Sequence, residues 1–285
     1  MSTVSLKGVI DMHVHTNPDI RIRAYNDFEL CDAAVRVGAR AIVIKSHQGN
    51  TVERAWLTNE YNKRTHGDND FQMFGGIVLN HGVGGVNPTA VENGFKLGGK
   101  VVWLPTQSAR NHLVQNKKDP SGCVEIVRDG KVVPEILDVF RLIKDYDGVL
   151  GTAHVSPTEA FIVVEAAKAA GIDKIVITHP EWWLVGMSVE DQYRLVKDYD
   201  VILEHCFAQP LGGGKYKSNM EMNLEAIQVC GYEHVMVDTD GGQTENPHWE
   251  IALQQYMQYL ADHGISEEQL TYMTHTIPGH LLGLF

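Results

Sequence analysis

The sequence lacks the features that mark membrane, secreted and nucleic-acid-binding proteins. Its 285 residues contain no run of 18 or more apolar residues, so no transmembrane helix is predicted. The first residues, MSTVSLKGVIDMH, do not pair a basic region with an apolar one, which argues against a secretory signal. Lys and Arg total 24 against 36 Asp and Glu, a net charge of −12 without a basic stripe. We therefore expect neither a nucleic-acid partner nor an anionic membrane surface as a partner.

Cysteine, linkers and nucleotide-binding glycine motifs are also scarce or missing. The four cysteines include no CxxC pair, so we expect reduced thiols in a cytoplasmic enzyme rather than a disulfide framework. No repeat, low-complexity segment or Pro/Ser-rich linker divides the chain, which favours a single domain over residues 1–285. No G-x-G-x-x-G follows the first apolar run, which argues against a dinucleotide-binding fold.

The chain does contain a regular alternation of short apolar runs and amphipathic, helix-like segments. Runs rich in Val, Ile and Leu are typical of strands that are buried on both faces of a parallel sheet. Eight such runs with intervening helices predict a (β/α)8 TIM barrel, an α/β fold. The runs are Val9–Thr16, Ala41–His47, Met73–His81, Val101–Thr106, Val149–Val155, Lys174–Pro180, Val201–Phe207 and Val235–Gly242.

One connection, residues 107–133 between the fourth and fifth runs, is unusually long. It contains Val124–Val133 (VEIVRDGKVV), whose central Asp129-Gly130 is a hairpin-turn signal. We therefore expect a β-hairpin insertion after strand four. It could form a lid over the barrel mouth or a decoration of the surface.

Histidines concentrate where the strand-like runs end. Half of the 14 histidines fall there, whereas chance would place about two in such windows of about five residues. Because the active sites of TIM barrels lie at the carboxyl ends of their strands, this excess predicts a functional cluster at the barrel mouth. The seven are His13, His15, His47, His81, His154, His179 and His205.

The most informative motif is the HxH formed by His13 and His15 at the end of the first run. Residues two apart in a strand face the same side, so both imidazoles should point into the barrel near its mouth. Imidazole nitrogen is a good ligand for Zn, Mn, Fe and Ni. The pair therefore predicts a site for a divalent metal.

Three further strand ends supply candidate metal ligands. His154 ends the fifth run, His179 ends the sixth, and Asp240 ends the eighth. A carboxylate at the position of Asp240 could bind the metal and take a proton from its water. Asp238 shares that strand face and could take the same role, or it could orient a ligand through a hydrogen bond.

These residues, in this order, resemble the pattern of the amidohydrolase superfamily of metal-dependent hydrolases. That pattern is HxH after strand one, His after strands five and six, and Asp after strand eight of a (β/α)8 barrel. The tail Ile277–Leu284 (IPGHLLGL) is similar to the final helix of the superfamily. The resemblance is closest to an uncharacterised, amidohydrolase-like branch. It implies metal-activated hydrolysis of an amide, lactone or ester, or, as in some members, non-hydrolytic decarboxylation.

The resemblance has departures that bear on the number of metals. Binuclear members carry a bridging carboxylated Lys or a Glu at strand four, whereas Val101–Thr106 has neither. Lys45, beside His47 at the end of strand two, could be a carboxylated bridge, a cation for a substrate carboxylate, or part of a structural ion pair. His47 and Glu204 are additional candidate ligands. The resemblance implies one or two divalent ions per chain, with Zn preferred over Mn, Fe and Ni.

Two alternatives remain open. Asp11–Thr16 followed by Ile42–His47 resembles the first two motifs of PHP-type phosphoesterases, although Lys45-Ser46 replaces their Thr-Asp and no His follows Asp240 at the spacing of that family. A barrel that has lost catalysis and binds a metabolite is the other alternative.

The mouth loops contain candidate substrate-binding residues for a small molecule. An Arg fork binds carboxylates in a bidentate manner, and Trp suits an apolar wall. We assign catalysis to Asp240, Lys45 and His179, and we expect a homo-oligomer. The substrate-binding candidates are Arg21, Arg23, His81, Arg110, His112 and Trp182.

Overall fold

A computed structural model describes residues 3–285, and within them eight parallel strands form one barrel. Each strand pairs with its neighbours in chain order, and the barrel closes where the amide of His15 donates to the carbonyl of Gly241 at 2.9 Å. The predicted (β/α)8 fold is therefore confirmed. The strands are β1 Ile10–His15, β2 Ala41–Lys45, β3 Gln72–Val78, β4 Val101–Trp103, β5 Val149–Gly151, β6 Ile175–Thr178, β7 Ile202–Cys206 and β8 Val235–Asp238.

Helices surround the barrel, and several begin at side chains that cap their free amides. Asn26 and Ser156 each form a capping box with a Glu three residues later, which satisfies amides that have no partner within the helix. In the part of the chain that the structure describes, no helix is long and apolar enough to cross a membrane. The α-helices are α1 Asp27–Val37, α2 Val52–His66, α3 Pro88–Lys96, α4 Arg110–Gln115, α5 Pro134–Asp145, α6 Pro157–Ala169, α7 Val189–Tyr199, α8 Met220–Cys230, α9 Trp249–Asp262, α10 Glu267–Thr271 and α11 Ile277–Leu282.

The inside of the barrel is filled at β4 by the indole of Trp103. The flanking strands have glycine where they face this ring, Gly76 in β3 and Gly151 in β5. A Cβ atom at Gly151 would lie 2.5 Å from the ring, and one at Gly76 would lie 2.7 Å from the ring and 2.3 Å from the carbonyl oxygen of Val101, closer than packed atoms approach. The two glycines therefore make room for the indole.

The insertion after β4 contains the expected hairpin. Val127–Arg128 pairs antiparallel with Lys131–Val132, and Asp129 and Gly130 adopt the positive φ angles that a tight two-residue turn requires. The hairpin packs against α6. Its role as a lid stays a prediction.

A second hairpin, which the sequence analysis did not predict, follows β7. Ala208–Gly212 pairs antiparallel with Lys215–Ser218. Its turn is built on three glycines, all with positive φ, at 212–214. This hairpin places Pro210 at the cavity described below.

Candidate metal centre

His13 and His15 project together from the end of β1 into the barrel mouth and face Asp240. Their Nε2 atoms lie 3.3 and 3.1 Å, respectively, from Oδ1 of Asp240. Both imidazoles are buried, whereas the side chain of Asp240 retains 13% of its exposure. The three side chains therefore form a compact group of two nitrogen donors and one oxygen donor.

The chemistry and spacing of this group fit a divalent cation. Ligands at about 2.0–2.1 Å from a tetrahedral Zn²⁺ lie about 3.3–3.4 Å from one another, close to the distances found here. Burial and the nearby Lys45 lower the pKa of His13 to about 3, and burial lowers the pKa of His15. Both rings are therefore neutral at pH 7, with a lone pair available. Within residues 3–285, Oδ1 of Asp240 accepts no hydrogen bond.

Three residues at or next to the strand-end site residues have a left-handed backbone conformation. The φ angles are 46° at Asp240, 32° at His179 and 55° at Ala153, which precedes His154. Such conformations cost on the order of 1–3 kcal/mol in residues other than glycine and persist where the surrounding structure holds them. The ends of β5, β6 and β8 thus share a sharp bend just before or at a site residue.

Five strand-end imidazoles surround the mouth. The ring centroid of His179 lies 5.7 Å from that of His13 and 5.1 Å from that of His154, and His47 lies 4.8 Å from His15. Burial lowers the pKa of each of these rings, to about 3 for His179. His47, His154 and His179 border the compact group rather than join it in this structure.

Lys45 and Glu204 lie deeper, on either side of His13. Nζ of Lys45 lies 3.1 Å from Nε2 of His13 and 5.2 Å from the ring centre of Trp103. Glu204 instead approaches the opposite nitrogen of that ring, with its Oε1 3.4 Å from Nδ1. Burial lowers the pKa of Lys45 and raises that of Glu204. Glu204, Cys206 and His13 thus form a second donor group, which shares His13 with the first group but does not include Asp240.

Buried acids join β1 to β8 below the site. Oδ1 of Asp238 accepts the amide of Met12 at 2.9 Å, and burial raises the pKa of this carboxyl group. Asp11 accepts the indole N–H of Trp249 at 2.8 Å. Asp238 thus lies in the barrel wall, and Asp240 is the carboxylate that reaches the mouth. Asp11 was not among the predicted site residues, although it lies only two residues before His13.

His47 is held by a hydrogen-bonded pair that the sequence analysis also missed. Its Nδ1 lies 2.8 Å from Oγ1 of Thr106, which accepts a hydrogen bond from Asn80 at 2.6 Å. Thr106 ends the fourth strand-like run, and Asn80 is the last residue but one of the third. Their position at strand ends was the available signal.

A cavity of about 160 Å³ opens above the compact group. Four of the six predicted substrate-binding residues line it, namely Arg21, Arg23, His112 and Trp182. The other two lie elsewhere. Arg110 borders a separate depression beside α6, and Nε2 of His81 hydrogen-bonds the carbonyl of Gly122 at 2.7 Å. The cavity is also lined by residues that were not predicted, Gln107, Pro210 and Gln243.

The two arginines at the cavity are held by neighbouring acceptors. Arg23 is buried, and its Nε donates to Asp19 at 2.7 Å while its Nη1 donates to Gln243. Arg21 is more exposed and pairs with Glu245. The guanidinium of Arg23 is therefore fixed in orientation at the wall of the cavity.

Comparison with known proteins places the chain in a family and finds solved structures with the same fold. Residues 8–204 match a family described as a family of unknown function, DUF6282. The chain belongs to this family. No curated protein matches the sequence.

Solved structures share the fold over almost the whole chain. An amidohydrolase from Pseudomonas aeruginosa is 12% identical with a TM-score of 0.65, covering 97% of this chain and 95% of that one. A 2,6-dihydroxybenzoate decarboxylase from Rhizobium is 10% identical with a TM-score of 0.57, covering 99% of each chain. An organophosphorus hydrolase from Deinococcus radiodurans is 13% identical with a TM-score of 0.61, covering 97% of this chain and 92% of that one. The barrel of this DUF6282 protein thus has the fold that these three enzymes share.

Proposed function

We propose that this protein is a divalent-metal-dependent hydrolase that cleaves an amide, lactone or ester bond of a small, carboxylate-bearing molecule. The observation that carries the proposal is the compact group of His13, His15 and Asp240, with two neutral imidazoles, at the mouth of an amidohydrolase-type barrel. The eight barrel strands within residues 3–285 weaken the PHP alternative, whose barrel has seven.

Different residues of the chain are proposed for metal binding and for proton transfer. Nε2 of His13, Nε2 of His15 and Oδ1 of Asp240 would hold the cation, which when bound would act as a Lewis acid that acidifies water and polarises a carbonyl group. Asp240 lines the cavity and is placed to take a proton from the attacking water on its second oxygen, Oδ2, and return it to the leaving group. His179, whose Nδ1 is buried without a partner in the described residues, is placed to bind the cation or the substrate.

The donor set favours a single Zn²⁺. Three nitrogen and oxygen donors with room for a further ligand are typical of catalytic zinc sites. β4 has no Lys or Glu and its Trp103 fills the barrel interior, which argues against the usual binuclear arrangement. We therefore propose one zinc ion per chain and keep Mn, Fe and Ni as alternatives.

The cavity fits a small anion with an apolar part. Its volume of about 160 Å³ accommodates a molecule of modest size. Arg23 supplies an oriented guanidinium at the wall, with its Nε and Nη2 paired to Asp19, and Trp182 supplies an apolar surface.

The test combines metal reconstitution with replacement of Asp240. We expect Zn²⁺ or Mn²⁺ to give metal-depleted protein activity on a panel of small carboxylate-bearing amides, lactones and esters. The Asp240→Asn variant should lose turnover by at least about 10²-fold while retaining much of its metal, because the amide oxygen can still bind but cannot take a proton. Asp262→Asn, an exposed carboxylate on α9, is the matched control and should retain activity.

Three results would contradict the proposal. They are no activity after reconstitution, full activity in Asp240→Asn, or release of phosphate from simple phosphoesters as the main reaction. Release of CO₂ from aromatic carboxylates without hydrolysis would instead identify a decarboxylase on the same site.

A further inference from the structure

The short helix of the insertion, α4, contacts the loops that carry two of the strand-end histidines. Nδ2 of Asn111 donates to the carbonyl of His154 at 3.2 Å and to the carbonyl of Leu184 at 2.9 Å. The Asn111 side chain is buried between these loops. The insertion therefore holds the main chain after β5 and β6, even though its hairpin packs elsewhere.

The next residue of the same helix contacts the imidazole of His154 directly. Nδ1 of His112 lies 2.8 Å from Nδ1 of His154, and the two rings are nearly parallel, with an interplanar angle of 15°. Two neutral imidazoles at this distance share one proton, since one nitrogen must donate and the other must accept. Only two arrangements of protons satisfy the contact.

The two arrangements have opposite consequences at the cavity. If Nδ1 of His154 donates, its Nε2 has a lone pair and can bind a cation. If Nδ1 of His112 donates, Nε2 of His154 bears the proton and cannot bind one. Histidines that bind metals almost always donate their other N–H to an acceptor that fixes the ring.

We propose that His112 is a positioning residue that accepts a hydrogen bond from Nδ1 of His154 and so presents the unprotonated Nε2 of that ring to the metal cavity. His154 is buried, and its ring lies between those of His47 and His179 at 5.7 and 5.1 Å. A buried ring between two other neutral imidazoles at the cavity is in a position typical of a metal ligand. The inference rests on the metal centre proposed above, and it replaces the expectation that His112 chiefly binds substrate.

The direct test is the position of the protons in the full-length, metal-free protein. Long-range ¹H–¹⁵N spectra of ¹⁵N-histidine-labelled protein distinguish protonated from unprotonated ring nitrogens. We expect His154 to have its proton on Nδ1 and His112 to have its proton on Nε2. A proton on Nε2 of His154, whether His112 donates or both rings bear Nε2–H, would overturn the inference.

Variants of His112 provide the second readout. His112→Asn places an amide oxygen where Nδ1 was, so we expect its zinc affinity to stay within about threefold of wild type. His112→Leu removes the acceptor and should weaken zinc binding by about 10–100-fold, the usual effect of losing such a partner. Gln115→Leu, at an exposed position of the same helix, is the matched control.

The outcomes separate this inference from the proposed function. Unchanged zinc affinity in a folded His112→Leu protein would overturn the positioning role. A wild-type protein that takes up no divalent metal would instead overturn the proposed metal centre, whatever the proton positions are.

Discussion

The buried histidines make a quantitative prediction about acid stability. Burial lowers the pKa values of His13 and His179 from 6.5 to about 3, so the folded metal-free protein keeps both rings neutral. A histidine whose folded pKa is depressed contributes stability that is complete above its unfolded pKa and is lost as the pH falls below it. We therefore expect the free energy of unfolding of the metal-free protein to decrease below about pH 6.5.

The size of the effect follows from the shifts. A pH of 5 lies about 1.5 pH units below the unfolded pKa of 6.5 and still above the folded pKa of about 3. The unfolded chain is therefore protonated at each of these rings while the folded chain is not, which lowers the free energy of unfolding by about 2 kcal/mol per ring. His13 and His179 together should cost about 4 kcal/mol between pH 7 and pH 5. This is a large part of the 5–15 kcal/mol by which proteins are usually stable.

The assay is urea unfolding of metal-depleted protein at several pH values between 7 and 5. A His13→Gln/His179→Gln double variant should show a shallower dependence on pH. The control His263→Gln/His280→Gln, which changes two exposed histidines, should keep the dependence of wild type. A free energy of unfolding that does not change over this range, or an equal slope in both double variants, would refute the argument from burial.

Three further predictions concern the barrel interior and the cavity. Gly151→Ala should destabilise the protein by about 1–3 kcal/mol in urea unfolding, because the new methyl group would overlap the ring of Trp103; Gly122→Ala, whose Cβ meets no atom within 4 Å, should have little effect. Arg23→Ala should raise KM for carboxylate-bearing substrates more than for their neutral analogues, by about tenfold, and an equal change for both would contradict its assignment. Replacing His15 by Ala should weaken zinc binding by at least about 10²-fold, measured by chelator competition, and unchanged affinity would remove it from the ligand set.

Much of the fold was predictable because the apolar pattern of a buried strand is visible within a short stretch of sequence. Continuous apolar runs marked the eight strands, and the HxH of His13 and His15 marked one face of β1 through its two-residue repeat. Strand ends meet at the mouth of a barrel, so residues far apart in the chain could be expected to meet there. Asp240 facing both imidazoles is an example.

The remaining site residues lie on loops, and the sequence pattern does not predict which way a loop turns its side chains. Arg110 and His112 are two residues apart on one short helix, yet only His112 reaches the cavity. The role of Trp103 required knowing that two glycines on neighbouring strands face the same ring. The hairpin after β7 is short, and its triple glycine indicated a flexible turn without indicating strand pairing.

Metal stoichiometry of the purified chain tests the central claim most directly. After depletion and addition of Zn²⁺, elemental analysis should find on the order of one zinc ion per wild-type chain. The His13→Ala/His15→Ala double variant, which lacks two of the three donors, should retain less than about 0.2 zinc per folded chain under the same conditions. Equal zinc content in wild type and double variant, or none in wild type, would contradict a metal centre built on His13, His15 and Asp240.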